Sequence, residues 1–267
     1  MNDKAGKKYW EYSWSSVQLP ALIDPRVLNL NNFPNRRFHH YFSDVFSKIE
    51  ANQMKLLEIG CARSAWLPYF AREFGFKVYG IDYSEVGCQQ AKQVLFNAGV
   101  EGEIVCADFF YPPTTMLEEF DVVVSFGVAE HFEDTTACIK VFSKFLKPNG
   151  VIVTVIPNMV GVIGWNQKIL DRQIFDIHLP LDSNGLAQAH NYSGLEVLDC
   201  NYFISTSFGI CNLNGVRSGS LEWSIKKTVL ALLSRFSMFI WFVEDNFFLL
   251  PTSSWYSPYI NCTARKL

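Results

Sequence analysis

The chain has 267 residues, 49% of them hydrophobic and 18% charged, with a formal net charge of −3. That hydrophobic share excludes a disordered chain, and the slightly acidic balance excludes a bulk binder of nucleic acid or anionic membrane. Aromatic residues reach 15%, with 23 Phe against 16 Gly, which is more rings than an ordinary core requires.

Residues 1–50 are mixed and aromatic, with Tyr9, Trp10, Tyr12 and Trp14 ahead of a helix predicted over 38–49. An alternating pattern then begins. Short apolar strands are predicted at 54–59, 77–81, 103–107, 121–125 and 151–156, and helices at 66–74, 84–98 and 135–146 lie between them. Ser84 has the character of an N-cap, while Pro148 and Gly150 are expected to stop the third helix. Continuous apolar strands alternating with helices specify a parallel sheet covered on both faces, a doubly wound α/β core.

After residue 156 the rhythm changes. Residues 157–183 read as a long connection, followed by a short helix near 186–190 and strands at 196–204 and 259–264. About fifty residues separate those two strands, too many for a structureless loop, so they are expected to fold as an aromatic cap. The insertions carry Trp165, Trp223, Trp241 and Trp255.

The apolar stretch 229–250 is interrupted by Arg235, Glu244 and Asp245, which argues against a membrane span. Its apolar residues are too continuous for a one-sided surface helix. A cap over an acceptor pocket or a homodimer interface within 206–255 fits better, and membrane contact is the third reading. Seven scattered cysteines without a C-x-x-C pair, and a start lacking an apolar signal core, point to reduced thiols in a cytoplasmic protein.

The first strand ends in Glu58-Ile59-Gly60-Cys61-Ala62-Arg63-Ser64, a strand–turn–helix junction where open α/β sheets bind ligands. Asp82 closes the second strand at the spacing from which a carboxylate accepts both hydroxyl hydrogens of a ribose. Asp108 ends the third strand, where it could accept an exocyclic amine, with Phe109 beside it. The turn is not G-x-G-x-x-G, since Ala62 and Ser64 replace its second and third glycines. The second glycine serves close approach to a pyrophosphate, so the replacement weighs against NAD(P).

In order, LLEIGCARSA, KVYGIDYS, CADF, FDVVVSFGVAEHF and LKPNGVIVTVIPN resemble the class I S-adenosylmethionine-dependent methyltransferases, in their small-molecule branch. The resemblance covers about residues 54–157 and the last strand pair. It implies a Rossmann-like, seven-stranded sheet with its last strand antiparallel, plus aromatic cap insertions. It also implies an arm or lid over 1–50, a cofactor-binding core over 51–157, and acceptor-side insertions with the closing strand pair over 158–267.

Carried over by position, Glu58 would reach the methionine amino group, and Gly60, Cys61 and Ala62 would pass under the cofactor. Asp82 would hold the ribose, Tyr83 would flank the adenine, and Asp108 with Phe109 would fix its edge. Ser125, Phe126 and Gly127 would lie beside the methionyl portion and the reacting methyl.

Methyl transfer requires mainly alignment, with a general base if the acceptor is a hydroxyl. The candidates are His131 and His178, with His190 behind them; Arg36 or Arg37 could pair with the cofactor carboxylate. The adjacent His39-His40 lacks helical ligand spacing and H-E-x-x-H is absent, so no metal site is expected. The expected activity is O- or N-methylation of a hydrophobic small molecule, a natural-product tailoring step. Nucleic acid is not expected as the acceptor. Two alternatives stay open: a non-catalytic partner subunit that keeps the fold, and an NAD(P) oxidoreductase.

Overall fold

The computed structural model describes residues 3–15, 17–49 and 51–267. In chain order the elements are α1 (Lys7–Ser15), α2 (Phe33–Phe46), β1 (Lys55–Ile59), α3 (Trp66–Phe74), β2 (Lys77–Asp82), α4 (Glu85–Ala98), β3 (Gly102–Cys106) and β4 (Phe120–Phe126). There follow α5 (Thr135–Ser143), β5 (Leu146–Pro157), α6 (Val162–Leu170), α7 (Arg172–Asp176), α8 (Ser183–Tyr192), β6 (Leu195–Phe203), α9 (Leu221–Asn246) and β7 (Tyr259–Lys266).

The strands form one seven-stranded sheet in the order β3-β2-β1-β4-β5-β7-β6. β1 to β5 pair in parallel, whereas β7 runs antiparallel to both β5 and β6. This is the doubly wound sheet with an antiparallel last strand that the sequence implies. The order reverses between β1 and β4, and the crevice outside their carboxyl ends is where such sheets hold ligands.

Side chains satisfy the backbone donors at several helix starts. Ser84 accepts from Gly87 N at 3.0 Å, Asp134 from Ala137 N at 2.8 Å, and Asp182 from Gly185 N at 2.7 Å. Gly75 and Gly99 end α3 and α4 in the left-handed conformation that costs glycine least.

Four elements of the fold depart from the sequence reading. Helix α2 starts earlier than predicted, with Pro34 in its first turn, where a missing N–H costs nothing. Pro148 and Gly150 do not precede β5 but lie inside it. The pairing with β4 shifts register there, so the extra residues bulge without breaking the ladder. The supposed connection 157–183 contains two helices, α6 and α7.

The fourth departure is α9, a single helix of 26 residues that buries only Ser237, Trp241 and Glu244. Apolar residues such as Leu232, Phe236 and Phe239 stay exposed on its outer side, as the continuous run implies, but the helix lies along the surface instead of folding in as a cap. Its inward face anchors on polar groups: Trp241 Nε1 donates to Thr206 O at 2.7 Å and Ser205 Oγ donates to Glu244 at 2.6 Å. Among the described residues, no helix is long and apolar enough to cross a membrane.

The aromatic surplus also needs correcting. Its expected home was outside the core, yet much of it packs on one face of the sheet. Phe38, Phe42 and Phe46 from α2 meet Trp66, Tyr69 and Phe70 from α3 and Phe126 from β4 in a continuous set of ring contacts.

Candidate active site

The carboxyl ends of β1, β2, β4 and β5 frame a cavity of about 530 Å³. Its floor is the turn after β1. Gly60 has φ +76°, and a Cβ there would run into the Val128 side chain, so the chain can turn only with glycine. Gly60 N donates to Ile81 O at 2.9 Å, which ties the turn to β2. Asp82, at the end of β2, accepts from Ala62 N at 3.1 Å and Ser84 N at 2.7 Å. Burial pushes its carboxyl up to about 6 despite those donors.

Glu58 is buried beside it. Ser64 Oγ donates to Glu58 Oε2 at 2.5 Å and itself accepts from Trp66 N and Leu67 N, so one hydroxyl orients the acid and caps α3. Burial pushes Glu58 up to about 8. The sequence reading took Ser64 only as a lost glycine; its place just ahead of a helix start was the signal for a cap.

Arg63 is the only Lys or Arg among the cavity's described lining residues. Its guanidinium lies over the Trp14 ring at 5.7 Å and donates to Gln18 O. The floor is therefore acidic, with its one cation engaged elsewhere. That donor set fits a ligand carrying an ammonium or sulfonium and a pair of hydroxyls, as S-adenosylmethionine does.

The aromatic arm lies against the mouth, and Asp3, Trp10 and Trp14 line the cavity. Trp10 Nε1 donates to Asp3 at 3.1 Å, and the Tyr83 hydroxyl donates to the same carboxylate. Trp10 stacks on Trp14 and sets its edge against His131, with centroids 5.5 and 5.1 Å away. Glu11 accepts from Glu85 N at 2.7 Å, holding α1 to the start of α4.

Against Trp10 stand Glu130, His131 and His178. His131 Nδ1 is 2.9 Å from Ile177 O, and His178 Nδ1 is 2.6 Å from Ile174 O. A carbonyl can only accept, so each ring donates from Nδ1 and keeps its lone pair on Nε2. The two rings are 4.6 Å apart, and His131 Nε2 lies 3.9 Å from Glu130 Oε1. Burial lowers both imidazoles, with His131 adding to the effect on His178, which falls to about 4. Glu130 is 1% exposed, burial pushes its carboxyl up to about 8, and neither oxygen has a partner among the described residues.

The sequence reading took His131 and His178 as separate candidates and passed over Glu130; the fold brings all three together. It also expected no metal site, from local spacing alone. Yet these three offer ligand atoms within 4.8 Å of one another. The long chain segment separating His178 from the Glu130-His131 pair hides that from any short-range pattern.

Of the other expected site residues, Gly60, Ala62, Asp82, Tyr83, Phe109, Phe126, Gly127 and Glu58 line the cavity. Cys61, Asp108 and Ser125 do not. Cys61 points down into the sheet, where Gly80 leaves room for its sulfur. Asp108 is exposed and accepts from Phe110 N at 2.9 Å, bracing its own turn. Ser125 is fully buried in β4.

His190 is sealed away from the cavity, bonded to Thr154 Oγ1 at 3.0 Å. Arg36 reaches Asp245 and the carbonyl of Asn29 instead of the cavity. Helix α9 does not cover the site either: of the insertion 206–255, Ile210 is what lines the cavity.

A family model described as a methyltransferase domain matches residues 33–199. The ubiquinone biosynthesis O-methyltransferase of Pasteurella multocida (strain Pm70) is 30% identical over 107 residues, covering 37% of this chain and 44% of that protein. The chain thus matches less than half of that relative's length. Among solved structures, the [4+2]-cyclase SpnF superposes with a TM-score of 0.60 at 13% identity, over 99% of this chain and 96% of that one. Geranyl diphosphate C-methyltransferase from Streptomyces coelicolor A3(2), solved with Mg2+, geranyl diphosphate and S-adenosyl-L-homocysteine, gives 0.58 at 11% identity, over 98% of each chain. These two likenesses show the fold.

Proposed function

This chain belongs to the family of methyltransferase domains, whose methyl donor is S-adenosylmethionine, and on that premise we propose that it methylates an oxygen or nitrogen of a largely apolar small molecule. The observation that carries the proposal is one continuous cavity whose lining combines unlike groups. Glu58 and Asp82 make an acidic floor for the donor. Phe38, Trp66, Phe126 and Tyr259 line an aromatic wall, and Glu130, His131 and His178 supply bases. The donor, when bound, brings an already activated methyl group.

The chain's own task is alignment and proton removal. Asp82 holds the ribose hydroxyls, Glu58 faces the donor's ammonium, and Trp10 and Trp14 keep water from the reacting atoms. The bare Nε2 of His131 or His178 takes the proton of an acceptor hydroxyl. The apolar wall supports a natural product as the acceptor, much as the Streptomyces neighbour binds geranyl diphosphate. Seven free thiols support a reducing, cytoplasmic setting.

The family match leaves no part for the NAD(P) reading, and calorimetry tests the methyltransferase reading against the binding-subunit alternative. Micromolar binding of S-adenosylmethionine and S-adenosylhomocysteine is expected. Silence at millimolar ligand would overturn the proposal.

A second copy of the chain is the proposed cover for α9. Ile225, Val229, Leu232, Phe236, Phe239 and Val243 follow one another at alternating steps of four and three, and all but the partly covered Val243 are exposed. That 3.5-residue period is the seam of one helix against another, here two-fold related. Sedimentation should give a dimer at tens of micromolar, and Leu232→Glu with Phe239→Glu should give a folded monomer. A wild-type monomer that pellets with lipid vesicles would favour a membrane surface instead.

A further inference from the structure

We propose that Glu130, His131 and His178 hold one divalent transition-metal ion in the cavity. Two imidazoles and a carboxylate are the protein ligands of mononuclear zinc and non-haem iron sites that keep open positions for a substrate.

Four features of the cluster carry the inference. The first is proximity. Ligand atoms around a single zinc stand roughly 3–3.5 Å apart, and here they already lie within 4.8 Å, so small side-chain rotations close the site. The second is orientation. Both rings donate Nδ1–H to backbone carbonyls, those of Ile177 and Ile174, which is how metal-binding histidines are held in the correct tautomer.

The third is the carboxylate. Glu130 is 1% exposed and neither oxygen meets a donor among the described residues. A buried carboxylate without a partner is costly, and a cation between it and the two Nε2 atoms removes that cost. The nearby Lys4 ammonium donates to His178 O at 3.1 Å, and Glu130 is left without a donor among the described residues.

The fourth is access. All three residues line the cavity, so the positions they leave open face the bound acceptor. With the ion bound, both Nε2 lone pairs would be ligands, so the metal rather than a free imidazole would favour the deprotonated form of an acceptor oxygen, its proton passing to solvent. Zn2+ is the first candidate, since imidazole and carboxylate suit it and it needs no redox partner.

Binding is read without donor or acceptor, so the outcome is independent of the methyltransferase proposal. Full-length protein is stripped with a chelator and titrated with Co2+, followed by visible absorption, and with Zn2+ against a chromophoric indicator. One equivalent should bind with a submicromolar Kd, and cobalt should show the intense bands of a four- or five-coordinate site. His178→Ala and Glu130→Gln should each weaken binding by 100-fold or more, whereas His40→Ala on the surface should not.

Circular dichroism verifies that the variants fold; if His178→Ala fails to, His178→Gln replaces it. A wild-type Kd above 100 µM, or a spectrum like aqueous cobalt, would overturn the assignment. So would undiminished binding in folded variants.

Discussion

Replacing Asp82 by alanine is expected to weaken S-adenosylhomocysteine binding by at least 100-fold, measured by calorimetry at pH 7.5. Asp82 sits where β2 ends, buried against the turn of Gly60 to Ala62, with Ala62 N and Ser84 N already bonded to it. In the proposed binding mode, removing the carboxylate deletes two charge-assisted bonds to the ribose, each worth roughly 1.5–3 kcal/mol, and it orphans two backbone donors.

The same residue gives binding a pH dependence. Its carboxyl is pushed up to about 6 by burial, so below that pH the free protein carries a proton where two hydroxyls must donate. Affinity should therefore fall as pH drops through 6, and Asp82→Asn should flatten that limb. Unchanged affinity in Asp82→Ala would show that the donor lies elsewhere. A ligand-free Asp82→Ala that keeps the wild-type circular dichroism spectrum, with only a modest drop in thermal midpoint, would confirm that the loss is local.

The cofactor half was legible in the sequence because its chemistry is local. A glycine forced by a turn, an acid at the end of a strand and a capping serine each announce themselves within a few residues. Strand pairing followed from continuous apolar runs, which only a sheet covered on both faces can use. What stayed hidden was made by distant segments. Glu130 looks like an ordinary turn residue until His178 arrives from the loop after α7, and Asp3 becomes part of the site only when the arm folds back onto Tyr83.

Helix α9 misled for another reason. Its apolar residues run nearly all round, but Ser237 and Glu244 face inward and bond to the chain beneath. The inward side thus mixes Ser237 and Glu244 with Leu230, Leu233, Met238 and Trp241, while Leu232, Phe236 and Phe239 look out. Composition cannot tell which side of such a helix the fold will choose.

The ring cluster yields the largest expected effect on stability. Phe42→Ala should cost about 3–5 kcal/mol, the range for truncating a fully buried phenylalanine. Phe42 has no exposed surface and touches Phe46, Trp66, Phe70 and Phe126 at centroid distances of 5.7, 5.6, 4.9 and 6.1 Å. Those neighbours are themselves rings held by ring contacts, and none can rotate into the void without losing another contact. The site is therefore expected to collapse poorly, towards the expensive end of that range.

The damage should also reach function. Trp66 and Phe126 stack at 5.0 Å with nearly parallel planes, and both line the cavity. Phe42 supports that stack from behind, so its loss should loosen the aromatic wall and lower acceptor affinity more than donor affinity. In a chain of this size the midpoint of thermal unfolding should fall by roughly 10 °C. Phe42→Leu, which keeps most of the volume, should cost about 1–1.5 kcal/mol. A loss below about 1 kcal/mol in Phe42→Ala would mean that the rings are surplus to the core after all.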